Sequence, residues 1–295
     1  MALPPPSAWK RWGRNLALFL LTAASVFWVG ALHGEGGFSV SDGVRLMLGL
    51  LSILAAHEMG HYVAARLHKV DVTLPFFVPF PLPFFSFVGT LGAFIRIRGP
   101  IPNRRALFDI GVAGPLAGFV VALPVLWLGI REATVRPPTP GGISLGTPLV
   151  FSWFESLARG PVPEGMNLVI GPLGLAAWFG LLVTALNLMP IGQLDGGHVT
   201  YSFFRERAHH ISRIASWVCV ALIYFGPSWI LWAVLMRVLG RRHPPTRDDA
   251  APVGAARVAV GVASLVVFVL CFVPDPIVVS WHELLQDTPL RRFLL

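Results

Sequence analysis

The chain has 295 residues, of which 55% are hydrophobic and only 13% are charged. Its mean hydropathy of +0.68 excludes an ordinary soluble globular domain and indicates a membrane protein. The formal net charge of +8 does not indicate a nucleic-acid partner, because the Lys and Arg residues cluster at the ends of apolar segments, where they orient a protein in a membrane.

Apolar stretches long enough to cross a bilayer recur along the chain, and the basic residues at their ends indicate their direction. The first, residues 16–32, follows a basic N-terminus and lacks a cleavage site, so we expect a retained anchor helix with a cytoplasmic N-terminus. The second, residues 44–66, ends on basic residues and is predicted to run inward. The third, residues 106–130, starts after basic residues and is predicted to run outward.

The second half of the chain continues this pattern. A Gly- and Pro-rich external loop precedes a fourth span, residues 168–188, that returns to the cytoplasmic side. Residues 214–239 are interrupted by Gly226 and Pro227, which favour a hairpin of two short helices over one long helix. A last span, residues 258–273, leads to an external tail. The pattern predicts an all-α polytopic membrane protein with about six transmembrane segments.

The segment between the second and third spans, residues 73–98, is apolar but rich in proline. A spanning helix does not hold so many prolines, so the segment is predicted to be a re-entrant or interfacial loop. Its second half, residues 90–98, alternates in the manner of a short strand pair, which gives the loop a β-like character. A surface linker lying among the lipid headgroups fits the same composition.

The second span carries the motif with the clearest chemistry, His57-Glu58-Met59-Gly60-His61, which has the form H-E-x-x-H. Residues four apart share a helix face, so His57 and His61 are placed to bind one Zn²⁺ with Glu58 beside the metal-bound water. Ionisable residues inside a bilayer are costly, which favours a functional site over histidines that only hydrogen-bond a neighbour. At a rise of ~1.5 Å per residue, His57 lies about 20 Å from the external end of the span, so water must reach it from the cytoplasm.

A catalytic zinc takes three protein ligands and keeps one open position, so a third ligand is expected from another helix. The end of the fourth span, residues 187–198, reads N-L-M-P-I-G-Q-L-D-G-G-H. Pro190 and the glycines are predicted to unwind the helix and let Asp195 turn its carboxylate toward the metal. The sequence therefore predicts one Zn²⁺ per chain, bound by His57, His61 and Asp195.

The two motifs together resemble a known family. H-E-x-x-H on one span, followed by N-x-x-P-x-x-x-L-D-G on a later one, is similar to the site-2 protease family of intramembrane zinc metallopeptidases (peptidase family M50), in a compact form without a PDZ or CBS domain. The similarity covers residues 44–198. It includes a G-x-x-x-G at Gly114 and Gly118, two residues that we expect to allow close helix packing.

Several roles are implied by this resemblance. Glu58 would be the general base, Asn187 would help to hold the substrate backbone or the oxyanion, and the three predicted ligands would bind zinc. The implied activity is hydrolysis of peptide bonds in transmembrane substrates, as in regulated intramembrane proteolysis. The expected partners are transmembrane protein substrates and the lipid bilayer, in a multi-pass protein of a bacterial inner membrane. The sequence does not define an oligomeric state.

Two other functions remain open at this point. A membrane metalloprotease of another class would need a different third ligand, and the motif that contains Asp195 argues against it. An inactive or metal-binding membrane scaffold would not need Glu58, and the intact Glu58 argues against that function.

The domain organisation follows from the same elements. Residues 1–43 are predicted to form an N-terminal anchor helix and external linker, and residues 44–200 a catalytic transmembrane core. Residues 201–295 are predicted to form a C-terminal helical hairpin, a last transmembrane helix and a tail.

Two polar residues near the core have less specific interpretations. His198 follows Asp195 by three residues and is placed to orient a ligand or stabilise the oxyanion, although an interfacial histidine without a role fits equally well. Asp109 is predicted to form a simple ion pair or helix-start charge near Arg104 and Arg105.

Overall fold

The computed structural model describes residues 8–32, 37–82, 86, 88–138, 144–239 and 243–278, with side chains described from Trp12 onward except at residue 239. Helices dominate this part of the chain. They are α1 (Ala8–Leu32), α2 (Val40–Leu67), α3 (Arg104–Glu132), α4 (Leu149–Ala158), α5 (Pro172–Leu188), α6 (Asp195–Phe204), α7 (Ala208–Leu222), α8 (Ser228–Leu239) and α9 (Ala255–Cys271). The strands are β1 (Phe76–Pro79), β2 (Thr90–Phe94), β3 (Thr134–Arg136), β4 (Ser144–Leu145), β5 (Asn167–Val169) and β6 (Ile277–Val278).

Three of the described helices are long and apolar enough to cross a membrane: α1 from Trp12, α2 and α3. The other apolar helices, α4, α5, α8 and α9, have between 10 and 17 residues. The predicted helical membrane protein is thus confirmed with three candidate spans, whereas the predicted six are not confirmed. The predicted fourth span is shortened at its start, because residues 167–169 form β5 and Pro172, favourable at a first helical position, begins α5.

The core forms where α2, α3 and α5 pack against one another, with α6 packed against α3. Aliphatic side chains fill the contacts, and Ile53, Leu126 and Leu181 are 2%, 0% and 0% exposed. These helices carry the predicted site residues, so the packing of the core decides whether those residues meet.

Polar side chains fix the starts of the two longest helices. The Ser39 hydroxyl accepts a hydrogen bond from the Asp42 N–H at 3.3 Å, and the Asn103 side chain accepts one from the Ala106 N–H at 3.0 Å. Each bond satisfies a backbone donor that has no partner within its helix. The sequence therefore sets where α2 and α3 begin.

The proline-rich segment contains an antiparallel strand pair, in which Phe77 lies opposite Ala93. Residues 90–98 were predicted to hold a strand pair but contain only one strand, β2, and its partner β1 comes from the proline-rich half. Pro79 is tolerated because it ends β1, where the register shifts. The Asn15 side chain of α1 donates to the backbone carbonyls of Leu74 and Pro75, at 2.9 Å each, and so ties the pair to α1.

The remaining elements surround the core. The predicted external loop contains α4, whose Val150 and Phe151 are buried, and the short strands β3 and β4. β3 pairs with β5 at the end of the loop, and β4 pairs with β6 from the C-terminal part of the chain. Residues 214–239 are divided between α7 and α8, and the break falls at Gly226 and Pro227 as the sequence predicts. The C-terminal tail beyond residue 278 lies outside the described residues.

Candidate metal centre

His57, His61 and Asp195 meet in the core, where both histidines are buried. The two Nε2 atoms lie 3.1 Å apart. Asp195 begins α6, and its Oδ2 lies 3.4 Å from the Nε2 of His57 and 3.2 Å from the Nε2 of His61. The structure therefore brings together the three ligands that the sequence predicts.

The break between α5 and α6 delivers Asp195 to this position. α5 ends at Leu188, and Met189 is extended because the following Pro190 disfavours helical geometry in the residue before it. Gly192 then adopts a positive φ of +53°, and its N–H donates to the Ser212 hydroxyl at 2.8 Å. The chain turns within these few residues, so Asp195 points back toward α2.

The geometry fits a zinc ion. Two imidazoles and a carboxylate are a donor set of catalytic zinc sites, and tetrahedral Zn–N bonds of ~2.0–2.1 Å separate neighbouring ligand atoms by about 3.3 Å. The three separations here lie between 3.1 and 3.4 Å. The Nδ1 of His61 lies 2.7 Å from the backbone carbonyl of Ile110. Since that oxygen only accepts, Nδ1 carries the proton and the Nε2 lone pair stays available for a metal.

Two glycines of α3 make room for the ligand rings. A Cβ added to Gly114 would lie 2.1 Å from the Nε2 of His61, and one added to Gly118 would lie 3.2 Å from the Cβ of His57. The predicted close packing is confirmed, but the glycines pack against the metal-ligand side chains themselves. They are therefore part of the wall of the centre.

Glu58 and Asn187 lie at the same centre. Glu58 is 5% exposed, and its carboxylate interacts with the backbone N–H of Ile95, directly after β2. The Nδ2 of Asn187 lies 3.2 Å from the Nε2 of His57. All five predicted site residues are thus gathered where α2, α5 and α6 meet.

Asp109 has other partners than the sequence suggests. Arg257 of α9 donates to both of its carboxylate oxygens, at 2.7 and 2.6 Å, and the Nε2 of His68 lies 2.8 Å from Oδ2. Arg104 and Arg105 instead donate to backbone carbonyls. An ion pair forms as predicted, but the expected partners were wrong. Arg105 shares a helix face with Asp109 but is engaged by the Pro252 carbonyl, whereas Arg257 presents its planar fork from α9.

One neighbour of the centre had no signal in the sequence. His243 lies in the stretch between α8 and α9, and its Nε2 is 2.7 Å from the Nδ1 of His198. The two histidines are 45 residues apart and share no motif. Only the folded chain places them together.

Comparison with known proteins agrees with this geometry. The model of peptidase family M50 matches residues 45–226. The probable zinc metalloprotease EGY1, chloroplastic, of Oryza sativa subsp. japonica is 30% identical over 261 residues, covering 84% of this chain and 42% of that protein. The corresponding EGY2 of Oryza sativa subsp. indica is 33% identical over 250 residues, covering 80% and 44%. EGY1 of Arabidopsis thaliana is 28% identical over 259 residues, covering 84% and 45%.

This chain spans less than half the length of these curated relatives. The relatives are named as chloroplastic, so they do not support the expected bacterial inner membrane, whereas the three long apolar helices do fit a membrane protein. The family match includes both motifs that build the metal centre and covers more than half of the chain. This chain therefore belongs to peptidase family M50, the site-2 protease family.

Proposed function

We propose that this chain is a zinc metalloendopeptidase that hydrolyses peptide bonds of transmembrane substrates within the bilayer. The observation that carries the proposal is the convergence of three ligands beside Glu58. His57 and His61 lie on α2, which is long and apolar enough to cross a membrane, and Asp195 reaches them from the start of α6. The relatives named as probable zinc metalloproteases support the same metal and reaction class. We expect one zinc ion per chain.

The residues at the centre have separable roles in this proposal. A zinc ion held by the three ligands would supply a Lewis acid for the scissile carbonyl and would acidify the attacking water. Glu58 would take the proton from that water and deliver it to the leaving amine. Its carboxylate lies near the backbone N–H of Ile95, and its burial would exclude bulk water that competes for the proton.

Asn187 would act on the substrate. Its side-chain amide lies 3.2 Å from the Nε2 of His57, at the edge of the centre, and an amide N–H is a donor suited to a carbonyl that gains negative charge. We therefore propose that Asn187 holds the substrate backbone or the oxyanion.

The strand pair would hold the substrate in extended form. A helical segment hides its peptide bonds, so it must unwind before attack, and an extended chain then needs backbone partners. Within the described residues β2 pairs only with β1, so its other edge is not covered by another strand. Ile95, directly after β2, reaches Glu58, so a chain added to this edge would lie beside the general base.

Cross-linking tests this clamp. A cysteine at Leu91, which is 66% exposed in β2, would be combined with cysteines scanned along a substrate bound to the Glu58→Gln variant. Strand pairing predicts cross-links at every second substrate position, because successive side chains of a strand face opposite sides. The control cysteine replaces Val120, which is 64% exposed on α3. Cross-links at every third or fourth position would contradict the clamp.

We also propose the six-span topology whose orientation the basic residues predict. The proposal includes the re-entrant loop at residues 73–98 and the division of the chain into three parts. Residues 201–213 would be cytoplasmic and residues 131–167 external. Single cysteines at Arg207 and Glu164, both exposed, should be labelled from opposite sides of a sealed membrane. Labelling of both from one side would contradict the topology.

The activity itself is tested by cleavage. The full chain, purified with zinc, would be incubated with a panel of single-span substrates, alongside Glu58→Gln. We expect wild type to cut at least one substrate inside its span, and the variant to cut at least ~10²-fold more slowly. Equal rates would remove Glu58 from the reaction. A wild type that binds zinc but cuts nothing would favour a metal-binding scaffold.

A further inference from the structure

The stretch between α8 and α9 packs against the start of α3 and against α6, the helix that begins with Asp195. We call residues 243–254 the strap. The N–H groups of Arg247 and Asp248 donate to the backbone carbonyls of Ile101 and Pro102, at 3.1 and 3.0 Å. The Nε of Arg105, in the first turn of α3, donates to the carbonyl of Pro252 at 2.6 Å. These bonds attach both the first and the second half of the strap to the start of α3.

The first residue of the strap, His243, is held in one orientation. Its ring stacks on Tyr201 of α6, with centroids 4.4 Å apart and planes inclined by 21°. The Tyr201 hydroxyl donates to Asp249 at 2.7 Å, and the Thr246 hydroxyl donates to the same carboxylate at 2.6 Å. His243 is 7% exposed, so neighbouring side chains enclose it on most sides.

The hydrogen bonds of this ring determine where its proton lies. The Nδ1 of His243 is 2.6 Å from the carbonyl of Pro244, which only accepts, so Nδ1 carries the proton. Burial lowers the pKa of His243, so the ring is neutral at pH 7 and its Nε2 only accepts. The Nδ1 of His198 lies 2.7 Å from that Nε2 and must therefore donate to it. A neutral His198 then has its second nitrogen, Nε2, unprotonated.

His198 stands next to the metal centre. It follows the metal ligand Asp195 by less than one turn of α6. Its Cβ packs against α3 at Gly111, where an added Cβ would lie 2.8 Å from it and 3.2 Å from the Asp195 carbonyl oxygen. No described residue hydrogen-bonds its Nε2. Within the described part of the chain that nitrogen is thus left without a hydrogen-bond partner.

We propose that His243 is a positioning residue that fixes His198 in the Nδ1–H tautomer, so that His198 presents Nε2 as a hydrogen-bond acceptor for a backbone N–H of the substrate. This inference deepens the proposed function and rests on it. It replaces the oxyanion role considered for His198 from the sequence, because an unprotonated nitrogen accepts a hydrogen bond and does not donate one.

The test combines a spectroscopic and a kinetic measurement on the full, zinc-loaded chain. Histidine labelled with ¹⁵N reports which ring nitrogen carries the proton, and the signal missing in His198→Gln assigns His198. We expect Nδ1–H in wild type and in His243→Gln, whose amide oxygen is able to accept the bond. In His243→Leu the acceptor is gone, and we expect the proton to redistribute toward Nε2. The exposed His210 provides the control, His210→Leu, which should keep the wild-type tautomer.

The kinetic measurement follows KM and kcat separately on one cleaved substrate. His243→Leu should raise KM about fivefold, the worth of one hydrogen bond, with zinc content and kcat little changed. His243→Gln should restore KM. An Nε2–H tautomer in wild type, an unchanged KM in His243→Leu, or a loss of zinc in His198→Gln would each overturn the inference. Absence of cleavage by wild type would instead refute the proposed function. The ¹⁵N measurement would still show which ring nitrogen of His198 carries the proton.

Discussion

The metal centre and the strap lie side by side, yet they are assembled in different ways. At the centre, two ligands are four residues apart on one helix, and the third follows a helix break marked by Pro190. The strap reaches the same region through single bonds between residues that are far apart in the chain, such as His198 and His243. The reactive groups therefore come from local sequence motifs, whereas the groups that orient them come from the tertiary fold.

The largest expected effect is at the metal centre, where variants of the ligands and of the general base should differ in zinc content and in rate. Ala at His57, His61 or Asp195 removes a ligand and should lower bound zinc strongly. Glu58→Gln changes no ligand and should retain about one zinc per chain while losing at least ~10²-fold in rate. Elemental analysis and turnover of one substrate across the four variants measure both effects. Full zinc and full activity in Asp195→Ala would place the third ligand elsewhere.

A smaller effect is expected at the two glycines of α3 that line the metal centre. Gly114→Ala places a methyl group where the ring of His61 now lies, so the ring must move and zinc affinity should fall by about 10- to 100-fold, as for other residues that orient a ligand. Competition with a chelator of known affinity measures this. The matched control is Gly13→Ala in α1, where an added Cβ meets nothing within 4 Å. Equal zinc affinity in the two variants would show that Gly114 does not position the ring.

The smallest of the three effects concerns the contact between α9 and the core. Arg257→Lys keeps the charge but loses the paired hydrogen bonds to Asp109, and should lower the free energy of unfolding by about 1–2 kcal/mol. The double variant Arg257→Lys, Asp109→Asn should lose less free energy of unfolding than the two single variants lose together, because the two groups interact directly. Denaturation in detergent measures these differences. Strict additivity would mean that the pair contributes no coupling.

The opposite ends of α2 and α3 offer the control for that contact. Arg45 and Glu132 form an ion pair of 3.3 Å, but their side chains are 47% and 40% exposed. Solvent screens such a pair, so Glu132→Gln should change stability by no more than about 0.5 kcal/mol. A cost as large as that of Arg257→Lys would show that exposure does not distinguish the two ends.

The sequence predicts the centre well because its rules are short-range. The i, i+4 spacing of His57 and His61 and the effect of Pro190 on the preceding residue hold in any fold that makes these helices. The resemblance to a family added Asn187, which indeed lies beside His57. The outcome for Asp109 was different, because its partner Arg257 is 148 residues away and no local rule points to it.

The start of α5 and the presence of α4 could not be predicted from the sequence for the same reason. Hydropathy predicts apolar stretches but does not show that residues 167–169 pair with β3 and so delay the start of α5 until Pro172. It also gives no sign of α4, whose buried Val150 and Phe151 lie in a stretch predicted as a loop. The partners that decide these structures come from other parts of the chain.

Asp109 and Ile110 are neighbours on α3, and they accept hydrogen bonds from different parts of the molecule. The Asp109 carboxylate receives Arg257 of α9, while the Ile110 carbonyl receives the Nδ1–H of His61. A shift of this one turn of α3 is therefore felt both at the metal ligand and at the helix that follows the strap. Thermodynamic linkage requires any such coupling to be reciprocal: a metal ion that favoured one position of this turn would stabilise the seating of α9 by the same factor by which a seated α9 would strengthen metal binding.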